Sequence, residues 1–150
     1  MSERRVIFYV LAGAEERDRF KFGCKLVERA YLAGEHVLVW FDEPLALGRF
    51  DELLWTYADR SFVPHETFAD ASQWQDTPVL LSCGTQPEQP FEVLVNFGDQ
   101  VPPAAERAVR IVELIDADEN RRRAGRNRFR QYREQGLTPE THTVSGEELP

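Results

Sequence analysis

The sequence predicts a single Rossmann-like α/β domain with three layers, a mostly parallel central sheet and helices on both faces. Three observations predict it. Short apolar runs of strand length alternate with stretches of helical period. The first of those runs is apolar throughout rather than at every second position, as in strands buried on both faces. The length of 150 residues suits one sizeable core and is too short for two.

The first run, "RVIFYV", is continuous and β-branched, and Leu11, Ala12 and Gly13 turn the chain after it. From Ala14 to Gly34 the period becomes helical. Phe20, Cys24, Val27 and Tyr31 recur at spacings of four, three and four, Glu15, Glu16 and Asp18 occupy the first turns, and Gly34 stops the helix. "HVLVWF" is a second strand, after which Asp42, Glu43 and Pro44 open a second helix with acidic residues and an early proline. Leu47, Phe50, Leu54 and Tyr57 form its apolar stripe. In the second half "TPVLLSC" and "FEVLVNF" read as strands on either side of the loop "GTQPEQP". Pro102 and Pro103 start a brief helical turn before "AVRIVELI", a strand on the strength of Val109, Ile111, Val112 and Ile115. The charged, proline-free stretch from Asp116 to Gln135 is a final helix closed by Gly136 and Pro139. The domain is therefore expected to span residues 1–137, with 138–150 as a polar, disordered tail. No internal repeat is evident.

With 26 acidic against 18 basic side chains and a net charge of -8, the chain as a whole repels phosphate backbones, which argues against a strong direct DNA binder. No stretch approaches the length of a membrane span or an export signal. Two cysteines are too few for a disulfide framework, so a cytoplasmic protein is expected. The first strand-to-helix turn, "LAGAEERD", offers one glycine and two acids where a dinucleotide would need several glycines and no negative charge, so no nucleotide site is expected. His36, His65 and His142 fall at a strand entry, in a loop and in the tail, without metal-ligand spacing. Cys24 lies on an apolar stripe, Cys83 has no evident histidine partner, and the adjacent Asp51 and Glu52 do not face each other on a helix. No catalytic residue, metal or cofactor is expected.

Charge is instead sorted along the chain. Residues 30–109 hold 3 basic and 13 acidic side chains, whereas residues 121–133 hold 7 basic and none acidic. At roughly 100° per residue, Arg122, Arg126, Phe129 and Arg133 share one helix face within about 60°, presenting guanidinium groups around an aromatic ring. Such a face suits a short acidic peptide, although a solvated basic face would show the same pattern. The same arithmetic puts Trp55 roughly 130° from the middle of the second helix's apolar stripe, off the core. Phe62 and Pro64 add apolar bulk nearby, in a segment expected along an edge or loop, and together these residues resemble an interface core.

Over about residues 4–137 the sequence resembles the chi subunit family of bacterial DNA polymerase III. The residues that carry the resemblance are the "VIFYVL" strand, "VERAYLAGEHVLVW", "FDELLWTYADRSFVPH" and the closing "RNRFRQYREQG". The central segment is the most specific. Phe50 stands where leucine is common in the family, and Phe129 where tyrosine often stands. The resemblance implies a non-catalytic accessory subunit of the replicase, associated with the clamp loader. It also implies that Trp55, Phe62, Pro64 and His65 dock the psi subunit or, alternatively, a repair helicase. Arg122, Arg126 and Phe129, with Ile115 as an apolar wall and Arg133 on the same face, would receive the acidic tail of single-stranded DNA-binding protein, which ends in proline-phenylalanine. The competing expectation from another class is a small nucleotide-dependent enzyme, which the glycine-poor first turn disfavours.

Overall fold

The computed structural model describes residues 4–56, 63–68, 77–87 and 90–144. In chain order the elements are β1 (Arg5–Val10), α1 (Glu16–Leu32), β2 (Val37–Phe41), α2 (Pro44–Thr56), β3 (His65–Phe68), β4 (Val79–Cys83), β5 (Val93–Asn96), a short 3-10 helix (Pro103–Arg107), β6 (Arg110–Ile115), α3 (Glu119–Glu134) and β7 (Glu140–Thr143). Among the described residues seven strands form one sheet in the order β3-β4-β2-β5-β6-β1-β7, with every pairing parallel. The three-layer α/β expectation holds, with helices on both faces.

The central strands are mostly apolar, Ser82, Asn96 and Glu113 being the buried polar exceptions, because both faces are covered. On one side, Phe20, Cys24 and Val27 of α1 and Leu47, Phe50 and Leu54 of α2 pack on Val39, Phe41, Val95 and Leu114. On the other, Tyr132 of α3 and Ala104, Ala105 and Ala108 of the 3-10 segment cover Phe8, Leu38, Leu94 and Ile111. Gly34 and Gly136 end α1 and α3 as the sequence predicts. Each takes a positive φ, and the amide after it bonds back to the last turn, Glu35 to the Ala30 carbonyl and Leu137 to that of Tyr132.

Two elements differ from expectation. Residues 65–68 form the outermost strand β3 rather than a loop, so His65 sits in a strand. The chain beyond 137 is not all tail: β7 pairs with β1, Arg5 donates to Glu140 from Nε and Nη2 at 3.1 and 2.9 Å, and Val144 is buried. The sequence of β7 is polar because all four residues are exposed, so hydrophobic patterning carries no trace of it. The free edge of β1 and the burial of Val144 hold it instead. Residues 145–150 lie outside the described residues.

The packing makes a direct prediction for the two thiols. Cys24 is fully buried, which pushes its thiol up to about 12, whereas Cys83 is half-buried at the end of β4. A thiol reagent is expected to modify Cys83 in the native protein and Cys24 only when the protein unfolds. Equal labelling rates at the two positions would contradict the packing of α1.

Candidate functional site

The basic run of residues 121–133 becomes α3, and the structure divides its arginines between fold and surface. Asp118 caps the helix by accepting the Arg121 amide at 2.9 Å. One turn further, Gly125 lets the helix approach the sheet, since a Cβ there would stand 2.6 Å from Ile115 Cδ1. Arg128 points inward. Its Nε donates at 2.9 Å to Glu113 of β6, and its Nη1 donates to the Asp99 carbonyl. The other Glu113 oxygen accepts Tyr132 Oη at 2.7 Å and Asn96 Nδ2 at 3.1 Å. Glu113 is wholly buried and Arg128 is 4% exposed. Burial pushes the Glu113 carboxyl up from its ordinary range, with Arg128, Tyr132 and Asn96 pulling against it. Burial also raises the Tyr132 phenol, so it remains a donor. Each member of the network is bonded to another, which fixes the rotation of α3 about its axis.

That rotation presents the opposite face to solvent. Arg126, Phe129 and Arg133 line an open hollow of about 540 Å³ together with Arg130 and Glu134. Phe129 forms its floor, half-buried, with its ring centroid 5.2 Å from that of Phe8. The helical arithmetic thus brings three of the predicted residues together. It does not bring in the other two: Ile115 is buried beneath α3, and Arg122 lies a turn away, with Nε donating to the Asp116 carbonyl at 3.2 Å. Arg130 and Glu134 are the members sequence reasoning missed. Arg130 follows Arg126 by four residues, and that spacing was the available signal.

At the other end of the sheet Trp55 is 46% exposed, as its angle off the apolar stripe of α2 predicts. Its ring lies over His65, with centroids 4.2 Å apart. His65 is buried. Its Nδ1 donates to the Val63 carbonyl at 2.6 Å, and its Nε2 lies 3.0 Å from Asp51 Oδ1, off the alignment of a hydrogen bond. His65 therefore serves as a platform for Trp55 rather than as an exposed contact residue. Pro64 is half-buried beside it, and Phe62 lies outside the described residues.

The β1–α1 turn is tied down by its own chain. The Gly13 carbonyl accepts the Ala117 amide, and the Ala14 carbonyl accepts Arg121 Nη2. Glu16 occupies the first turn of α1, and hydrogen bonds from Arg49 at 2.6 and 2.9 Å hold its carboxyl below the usual range. A carboxylate thus stands where a dinucleotide phosphate would approach a helix N-terminus. Among the described residues no group of three histidine, cysteine, aspartate or glutamate side chains is placed to hold a metal, and no helix is long and apolar enough to cross a membrane.

Comparison with known proteins finds a match over residues 3–140 to the family model described as DNA polymerase III chi subunit, HolC. The DNA polymerase III subunit chi of Pseudomonas aeruginosa is 30% identical over 140 residues, covering 93% of this chain and 96% of the relative. That of Haemophilus influenzae is 26% identical, covering 91% and 95%. That of Escherichia coli is 20% identical, covering 80% and 82%. Among solved structures, the C-terminal domain of the DEAD-box protein Dbp5 superposes with a TM-score of 0.57 at 10% identity, covering 98% of this chain and 94% of that one. The Saccharomyces cerevisiae Dbp5 domain bound to Gle1 and IP6 gives 0.60 at 11%, covering 94% and 90%. At such identities the Dbp5 likeness shows the fold alone.

Proposed function

Because the chain belongs to the DNA polymerase III chi subunit family, we propose that it is a non-catalytic accessory subunit that works by holding two partners at opposite ends of one rigid sheet. The hollow on α3 receives the acidic C-terminal tail of single-stranded DNA-binding protein. The Trp55 surface takes the psi subunit and, through it, the clamp loader. The single observation that supports this reading is the arrangement of Arg126, Arg130 and Arg133 around the half-buried ring of Phe129. Guanidinium forks suit the carboxylates of an acidic tail, and a ring set among them suits its terminal proline-phenylalanine. With phenylalanine in place of the tyrosine common in the family, the hollow lacks one hydroxyl but keeps its apolar floor.

The test is a fluorescence-anisotropy titration with a labelled acidic peptide ending in Pro-Phe, beside the same peptide without its last residue. The full-length peptide is expected to bind at least about tenfold more tightly than the truncated one, since the terminal ring is the part that enters an apolar floor. Its affinity is expected to fall as salt rises from low to physiological levels, where the screening length shrinks to about 8 Å. Indifference to the terminal residue would reduce α3 to a solvated basic face. A pull-down of psi that is lost with Trp55→Ala while tail binding persists would support two independent surfaces.

A further inference from the structure

At the carboxyl ends of β2 and β5 the chain departs in opposite senses: Asp42 and Glu43 lead to α2 on one face of the sheet, and Phe97 and Asp99 lead toward the 3-10 segment on the other. Adjacent parallel strands whose connections diverge leave a crevice between them, the usual place for a ligand in this class of fold. Here the crevice holds about 180 Å³. Arg19 of α1 lines it. This side chain is 8% exposed, its guanidinium lies over the rings of Phe97 at 5.1 Å and Phe20 at 5.7 Å, and its buried Nε has no hydrogen-bond partner. Burial lowers its pKa to about 10, so it remains charged at neutral pH. A buried guanidinium with an empty donor is costly unless something else accepts from it.

The neighbouring charges narrow what that acceptor is. Arg49 is bonded to Glu16 and Arg121 to Asp116, so both lining cations besides Arg19 are already satisfied. Three lining carboxylates remain, Asp42, Glu43 and Asp99. They are exposed, and among the described residues none is in an ion pair, Asp42 accepting only the Asp99 amide at 2.7 Å through Oδ2. One cation inside with a buried, unpartnered Nε and three carboxylates outside that are in no ion pair would oppose a phosphate dianion but complement a molecule that carries both signs. We propose that this crevice binds a small amino-acid zwitterion, its carboxylate on Arg19 and its ammonium among Asp42, Glu43 and Asp99. The crevice shares no lining residue with the α3 hollow.

Nitrogen-resolved NMR of the full chain tests it, following the Arg19 Nε–Hε signal and the Asp99 amide during titration with alanine, acetate, methylammonium and inorganic phosphate in turn. Alanine is expected to give saturable shifts at both positions and to bind at least about tenfold more tightly than acetate or methylammonium, each of which meets one end of the site only. Arg19→Leu keeps apolar contact with Phe20 and Phe97 and is expected to abolish the response. Asp99→Asn, at an exposed position, is expected to weaken alanine about threefold while leaving the rest of the spectrum in place. This second variant decides the matter even where Arg19→Leu unfolds the domain. Tighter binding of phosphate than of alanine, or no saturable shift with any of the four probes, would overturn the proposal.

Discussion

Arg128→Ala is expected to destabilise the protein by about 3–5 kcal/mol, the cost typical of removing one partner from a buried ion pair. The loss comes less from the missing attraction than from what stays behind. Glu113 is wholly buried, and without Arg128 its carboxylate keeps only the Tyr132 hydroxyl and the Asn96 amide. Against a total stability of about 5–15 kcal/mol for a domain of this kind, that is a large fraction. Urea denaturation followed by circular dichroism measures it directly. Adding Glu113→Gln removes the stranded charge, so the double variant is expected to recover part of the loss, giving a coupling between the two positions well above the roughly 0.5 kcal/mol seen for independent sites. A loss below about 1 kcal/mol for Arg128→Ala would mean that α3 is not anchored by this network.

Arg126→Glu, two residues earlier on the same helix, is expected to do the reverse. Arg126 is exposed, and among the described residues it has no ion-pair partner, so stability should change by no more than about 0.5 kcal/mol. Binding of the acidic Pro-Phe peptide, in contrast, is expected to fall about 10- to 100-fold, because the substitution puts a negative charge into the hollow against a negative ligand. Anisotropy and denaturation on the same two variants give a crossed pattern: Arg128→Ala loses stability, and Arg126→Glu loses the peptide. Unchanged peptide affinity in Arg126→Glu would remove the α3 hollow as the receptor for the tail.

This contrast marks how far the sequence could be followed. Helical period places Arg122, Arg126, Phe129 and Arg133 on one face, and the hollow contains three of the four. Period alone gives no reason for Arg128 to differ from its neighbours, because its inward role depends on Glu113, fifteen positions earlier on β6. Trp55 was legible as a residue off the core because its angle to the apolar stripe is a local quantity. The platform under it was not, since His65 reaches Trp55 only through β3, a strand too short and too close to a charged segment to show a pattern. The docking of β7 on β1 was equally hidden: an exposed polar strand has no hydrophobic signature.

By itself, then, the sequence determined the quantities that depend on near neighbours. These are the buried strands with apolar residues on both faces, the helix stops at Gly34 and Gly136, the concentration of positive charge in the last helix, and the motifs that place the chain in its family. The tertiary structure decided which arginines are buried in the fold and which are exposed, what supports Trp55, and that the buried Nε of Arg19 has no hydrogen-bond partner. Local periodicity constrains the angle of a side chain about its own helix. Its partners are set by the strand order β3-β4-β2-β5-β6-β1-β7, which brings together residues distant in the chain, and their energies depend on how completely that packing excludes water.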